Sequence, residues 1–233
     1  MTTTAVVLSL DEAWILPVTE VIEYSEGNAW VYVRTPRRNH HLPRRQDMRK
    51  IPTLFARDRA TGKVDTTQVT PGCEWVIAGE GVATRKFDGT CTMLDADGGW
   101  WARREVKPGK TPPPGWRETD HDPVTGRRVG WEPIAQSPFA RFHAEALTMP
   151  TVPPDLRPGT YELIGPKING NPERVEHHRL MRHGCWIIAP PERIEPEHMV
   201  SGLSRNGWEG VVWWRDPNDP DCDKAKLKGR GFP

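Results

Sequence analysis

Val82-Ala83-Thr84-Arg85-Lys86-Phe87-Asp88-Gly89-Thr90-Cys91 is the stretch on which the fold and the function turn. Its first half, Val82 to Phe87, has strand composition and follows a turn at Gly79-Glu80-Gly81. Its second half carries Lys-x-Asp-Gly. At average residue usage those three fixed positions arise by chance in roughly one chain in twenty of this length. The motif therefore acquires meaning only from groups elsewhere in the chain that can serve a sugar, a metal ion and phosphates.

Outward from this stretch, several short runs have the β-branched and aromatic content of strands and are bounded by Gly and Pro. They are Ala29-Trp30-Val31-Tyr32-Val33, Glu74-Trp75-Val76-Ile77-Ala78, Gly99-Trp100-Trp101-Ala102-Arg103, Thr160-Tyr161-Glu162-Leu163-Ile164, Cys185-Trp186-Ile187-Ile188 and Gly210-Val211-Val212-Trp213-Trp214. Helical patterns are fewer. Pro138 to Leu147 predicts a helix with Ser137 as N-cap and Pro138 at its first position. Pro191 to Leu203 predicts another, with Pro196 near its start. Lys107 to Trp131 reads as loop. Strands alternating with few helices predict an α+β fold of mostly antiparallel or mixed sheets.

The chain has 233 residues, enough for one large domain with a small appendage. Its division is expected at about residue 50: an N-terminal extension over 1–50 and a main domain over 51–233. Apolar residues make up 36% and include 11 tryptophans, so a sizeable core can form, while 24 prolines and 21 glycines require many loops. No apolar run approaches the roughly 18 residues of a membrane span. The start of the chain lacks a basic region and soon meets Asp11, unlike a signal peptide. Cys73, Cys91, Cys185 and Cys222 lie far apart with no Cys-x-x-Cys pair, as expected for reduced thiols in a cytoplasmic protein.

A net charge of +1 does not announce a nucleic-acid binder, but its distribution is more telling. Arg37, Arg38, Arg44, Arg45, Arg49 and Lys50 crowd one segment, and Lys224, Lys226, Lys228 and Arg230 crowd another. Such patches bind phosphates whatever the total charge. The first is read either as an RNA-binding surface, through Arg37, Arg38, Arg44 and Arg45, or as a solvated loop.

A lysine nucleophile must lose its proton, and at the ordinary lysine pKa only about one in two thousand is neutral at pH 7. Burial and neighbouring cations shift that balance. Lys226 and Lys228 supply cations, fall on one face if extended, and suit a triphosphate. Glu162 is placed to accept a hydrogen bond from a ribose hydroxyl. Glu209, at the edge of an apolar strand, suits a hard divalent ion. Arg103 suits a phosphate or sugar, with Arg104 as its solvated neighbour. Trp186 is read both as a platform for a purine and as a core residue.

Taken in order, Lys-x-Asp-Gly, Tyr161-Glu162-Leu163-Ile164-Gly165, Glu209-Gly210-Val211-Val212 and Lys226-x-Lys228 resemble the covalent nucleotidyltransferase superfamily of DNA ligases, RNA ligases and capping enzymes. Thr84 to Cys91, Trp101-Ala102-Arg103 and Glu209 to Trp213 look most like the ATP-dependent RNA ligases of the RNA ligase 1 type. The resemblance covers roughly Ile51 to Phe232. It implies an ATP-grasp-like adenylation domain, with AMP passing from ATP to Lys86, then to an RNA 5′-phosphate, before a 3′-hydroxyl displaces it. Thr84, Arg85, Asp88 and Gly89 would line the nucleotide pocket, Arg103 would contact ribose and phosphate, and Glu162 would bind ribose. Trp186 would stack on adenine, Glu209 would hold Mg²⁺ or Mn²⁺, and Lys226 with Lys228 would hold phosphates. Lys226 is expected to be the essential member of that pair. The chain stops at Pro233, where DNA ligases and capping enzymes continue into an OB-fold, so a compact, monomeric RNA-repair ligase without that domain is expected.

A DNA nick ligase and a capping-type guanylyltransferase are the enzymatic alternatives, and a catalytically silent RNA-binding module is the alternative of another class. His177, His178, His183 and Cys185 fit no standard zinc spacing. There is no Gly-x-x-x-x-Gly-Lys-Ser/Thr loop, nucleophile elbow or metalloprotease helix.

Overall fold

The computed structural model describes residues 32–33, 50–58, 61, 63–149, 156–188, 202–203, 206–216, 219 and 221–229. In chain order its elements begin with β1 (Tyr32–Val33), β2 (Phe55–Arg57), β3 (Val64–Val69), α1 (Glu74–Ile77), β4 (Val82–Lys86), β5 (Thr90–Leu94) and β6 (Trp100–Val106). They continue with β7 (Arg117–Asp122), β8 (Arg127–Pro133), α2 (Ala140–Thr148), β9 (Gly159–Ile164), β10 (Arg179–Arg182), β11 (Ile187–Ile188), β12 (Gly210–Trp214) and β13 (Lys224–Lys228). All pairings between these strands are antiparallel, and helices are few. Among the described residues no helix is long and apolar enough to cross a membrane.

The chain divides into two compact units, with breaks among the described residues at Ile51/Pro52, Lys86/Phe87 and His183/Gly184. The first unit holds a five-stranded sheet in the order β1-β11-β4-β12-β13 and the β2-β3 hairpin. In β12 all five residues are buried, as the unbroken Gly-Val-Val-Trp-Trp run requires of a central strand. Alternation sorts its neighbours. Ala83, Val211, Trp213, Ala225 and Leu227 share one face and join Leu54, Phe55, Val76 and Leu203 in a core cluster. The opposite face receives Thr84, Lys86, Lys226 and Lys228.

The second unit holds a six-stranded sheet in the order β10-β9-β5-β6-β8-β7. Leu94, Tyr161, Leu163 and Leu180 pack on Ala146 of α2, with Phe139 and Phe142 against them. The other face of this sheet carries Cys91, Met93, Trp101 and Trp131 as a second cluster.

Three local expectations are corrected. Glu74 to Ala78 is not a strand: Glu74–Ile77 is one helical turn, tied down by Trp75 Nε1 donating to Gly72 O at 3.0 Å and by Glu74 Oε2 accepting from Gly72 N at 2.8 Å. A short apolar run cannot tell a buried helical turn from a strand, and here Pro71-Gly72 favoured the turn. The stretch from Lys107 to Trp131 is loop only as far as Trp116; β7 and most of β8 follow as a hairpin. Charged, exposed β7 is an edge strand, so it lacks an apolar signal. Finally, α2 opens at Ala140 rather than Pro138, because Ser137 and Pro138 form a preceding turn in which Ser137 Oγ accepts from Phe139 N at 3.3 Å. Of the strand expected over Ala29 to Val33, only β1 is described. Most of the expected 191–203 helix lies outside the described residues.

Candidate active site

In the first unit, the register places Lys86, Gly210 and Lys228 in one row across β4, β12 and β13, and Thr84, Val212 and Lys226 in the next. Directly opposed residues share a face, so all three lysines project to the same side. The backbones of Lys86 and Lys228 are two strand spacings apart, about 9–10 Å. Glu209, which enters β12, closes that gap. Its Oε2 pairs with Lys86 Nζ and its Oε1 with Lys228 Nζ at 2.6 Å. The carboxylate is 10% exposed, against 22% for Lys86 and 38% for Lys228, so the anion is the least hydrated member of the trio.

Gly210 makes the row possible. A Cβ there would stand 2.1 Å from Leu227 O, so no other residue fits without parting the strands. Thr84 is fully buried beside the row. Its hydroxyl donates to Val212 O at 2.9 Å and accepts from Trp214 Nε1 at 3.2 Å, which spends both of its roles on holding the sheet. Arg85, the adjacent strand residue, lies on the other face with its guanidinium 4.9 Å from the Trp208 ring centroid. Lys226 is bonded through its backbone to the segment before β2: its N donates to Pro52 O at 2.9 Å and its O accepts from Leu54 N at 2.8 Å. Trp186 sits half-buried just before β11, and its carbonyl accepts from Arg85 N at 2.9 Å.

In the second unit, Asp88 and Gly89 are held by the loop after β9. Asn169 Nδ2 donates to Asp88 Oδ1 and to Gly89 O, both at 2.9 Å, and Asp88 N donates to Glu173 Oε1 at 2.8 Å. Asn169 does this at φ 48°, a left-handed conformation that Asn tolerates. The glycine of Lys-x-Asp-Gly is required by close approach rather than by a left-handed backbone, since a Cβ at Gly89 would meet Leu163 O at 2.3 Å.

Glu162 projects from β9 on the face that carries Cys91, its register partner on β5. Its Oε1 accepts from Gly89 N at 3.1 Å, and its Oε2 lies 2.9 Å from His183 Nε2. His183 Nδ1 in turn lies 2.9 Å from Thr160 Oγ1. Arg103 is on the same face, opposite Trp131. Next to it Arg117 stacks on Trp101, with its guanidinium 3.9 Å from the ring centroid. Arg104, as expected of its alternate neighbour, is exposed and faces the other side, 3.7 Å from Glu132.

Elsewhere in the second unit, burial and hydrogen bonding shift two titratable groups. Burial pushes His143, whose ring meets Trp100 edge-on at 4.4 Å, down to about 4. Burial alone would raise the Asp95 carboxyl, but hydrogen bonds from Trp101 Nε1 and the backbone at Gly99 and Asp97 outweigh it and hold it below the ordinary range.

The structure thus gathers Lys86, Glu209 and Lys228 on the first unit, and Asp88, Gly89, Glu162 and Arg103 on one sheet of the second. Thr84 and Arg85 have their side chains committed to the sheet and to Trp208. Arg37, Arg38, Arg44 and Arg45 lie outside the described residues. Sequence reasoning did not single out His183 as Glu162's partner, nor Asn169 and Glu173. Thr160 and Glu162 share a face by strand spacing, but nothing in the pattern indicates that β10 brings His183 beside them. Compared with known proteins, the chain matches no family model, and no curated protein matches it.

Proposed function

We propose that the protein is an ATP-dependent RNA ligase acting through a lysyl-adenylate on Lys86, built on a nucleotidyltransferase domain. The observation that carries this reading is the Lys86–Glu209–Lys228 row. A partly buried lysine, a carboxylate and a second lysine converge from three adjacent strands, with Lys226 on the same face. An ordinary surface lysine beside a turn needs none of this.

In the proposed reaction the neutral Lys86 amine attacks the α-phosphorus of ATP. An N–P bond forms, the bond to the bridging oxygen breaks, pyrophosphate leaves, and the amine's proton passes to solvent or base. The RNA 5′-phosphate then displaces the lysine to give an RNA-adenylate, and the RNA 3′-hydroxyl expels AMP. Lys228 and Lys226 present positive charge where the pyrophosphate gains negative charge. Glu162 has oxygen lone pairs for a ribose hydroxyl.

The one hard donor in the row is the Glu209 carboxylate, which would have to leave Lys86 and Lys228 to hold a divalent ion together with phosphate and water oxygens. Mg²⁺ or Mn²⁺ there would neutralise phosphate charge.

Incubation with α-³²P-labelled ATP and a divalent ion, followed by a denaturing gel, tests the reading. Wild type should carry a label that is stable to alkali and released by acid, as a phosphoramidate is, and Lys86→Ala should carry none. Absence of label in the wild type, or equal label in the variant, would overturn it. Label from GTP instead would mark a capping-type enzyme. Nicked RNA and nicked DNA substrates then separate RNA from DNA joining.

A further inference from the structure

Cys91, Glu162 and His183 offer a thiol sulfur, a carboxylate oxygen and an imidazole nitrogen that all lie within 4.8 Å of one another. From this geometry we propose that the three form a site for a borderline-soft divalent cation, Zn²⁺, separate from the hard-ion position at Glu209. Cys91 and Glu162 are cross-strand partners on β5 and β9, and His183 is the first residue of the turn after β10, on the far side of β9. Its backbone N donates to Thr160 O at 3.1 Å, which ties that turn to β9.

The chemistry of the donors selects the metal. Mg²⁺ demands six near-octahedral oxygens, and this set has one carboxylate. Thiolate and imidazole suit Zn²⁺, with Zn–S about 2.3 Å and Zn–N or Zn–O about 2.0–2.2 Å. A tetrahedral centre with those bonds sets the nitrogen and oxygen ligands about 3.4 Å apart. His183 Nε2 and Glu162 Oε2 stand at 2.9 Å, so they need to part by only about half an ångström. The outer partner is also in place. Thr160 Oγ1 is 2.9 Å from His183 Nδ1, and its hydroxyl can donate to that nitrogen or accept from it. A metal on Nε2 would need that nitrogen's lone pair, with Nδ1–H donating to Thr160 Oγ1, and the 2.9 Å Nδ1–Oγ1 separation allows it. Binding also takes the Cys91 thiol proton into solvent, so affinity rises with pH. The fourth position is left for water or a substrate oxygen.

Occupancy has a consequence that rests on the ligase reading. It withdraws Glu162 from ribose, so Zn²⁺ acts as a reversible brake on adenylate formation.

The test is titration of the full chain with Co²⁺ as a spectroscopic stand-in and then Zn²⁺ as competitor. Wild type should show a stoichiometric thiolate-to-cobalt charge-transfer band that Zn²⁺ abolishes. Cys91→Ser should lose the band, and His183→Ala should weaken Zn²⁺ affinity at least about tenfold. Thr160→Val should do so by roughly tenfold, the usual effect of an outer partner. Cys185→Ser should behave as wild type. Because a core thiol is changed in Cys91→Ser, the wild type supplies a second readout: Zn²⁺ should protect Cys91, and not Cys185, from alkylation mapped by mass spectrometry. No charge-transfer band in the wild type, or a band lost in Cys185→Ser and kept in Cys91→Ser, would overturn the site. Neither measurement depends on ATP, so failure of the site and failure of the ligase reading are distinguishable. Zn²⁺ should also suppress labelling of wild type but not of Cys91→Ser, and equal suppression of both would remove the brake.

Discussion

Replacing Gly210 with alanine tests the lysine row at its structural weak point. The added Cβ would sit 2.1 Å from Leu227 O, and real Cβ atoms do not approach heavy atoms within 3.0 Å. The obstacle is backbone, so no rotamer change relieves it: β12 and β13 must part by about 0.9 Å. Ladder hydrogen bonds near 2.9 Å would stretch to about 3.8 Å, beyond the useful range. Losing two of them costs about 0.5–1.5 kcal/mol each, and overpacking of this kind typically costs about 1–3 kcal/mol. We expect Gly210→Ala to lose about 2–4 kcal/mol in urea unfolding, read as a lower midpoint at unchanged slope. Gly229→Ala is the control. The nearest atom to its Cβ is a Leu203 side-chain carbon at 3.5 Å, an ordinary contact, so it should stay within about 0.5 kcal/mol of wild type. If Gly210→Ala is as stable as Gly229→Ala, the register that aligns Lys86 with Lys228 is wrong.

Gly89→Ala should cost a similar amount, because its Cβ would meet Leu163 O at 2.3 Å; a neutral result in thermal unfolding would show that the motif glycine is not held against β9. Glu209→Gln removes the anion shared by Lys86 and Lys228. With both lysines partly hydrated, the expected loss is about 1–2 kcal/mol at low salt and less at high salt, and a loss independent of salt would contradict an electrostatic origin. His143 binds a proton in the unfolded chain below its ordinary 6.5, but in the folded protein only near 4, so stability falls as pH drops through that window, by up to about 3 kcal/mol. His143→Phe keeps a ring against Trp100 and also removes an Nε2 that has no partner among the described residues; it should flatten this decline relative to wild type, and parallel pH curves would refute the assignment.

Much of the strand framework was legible in the chain. Strand β12 announces itself by an unbroken apolar run, because burial on both faces leaves no room for polar alternates, whereas β9 shows the alternation of a strand with one polar face. Edge strand β7 does not, because its solvated Arg-Glu-Thr-Asp-His-Asp side chains carry the composition of a loop. For α1, four residues are too few for periodicity to distinguish helix from strand. The two-unit division was not foreseen. Its breaks fall inside continuous chain, one between the nucleophile candidate and the next residue, where composition does not change.

The sequence by itself determined which residue types are present, their order, and the face of each strand on which they fall, since alternation needs only the local backbone. Lys86, Glu162 and the two C-terminal lysines were visible in that way; Glu209, just before β12, was visible as a residue but not as the partner of that lysine face. Tertiary structure alone decided who meets whom. The resemblance named Lys226 the essential lysine; the register sets Lys228 level with Lys86, with Gly210 between them, places Lys226 one row along on the same face, and gives Glu209 to Lys86 and Lys228. Likewise Cys185 is the cysteine near His183 in the chain, but Cys91 is the one that meets it in space. Hydrogen-bond register between distant strands is a long-range property, and no local propensity encodes it.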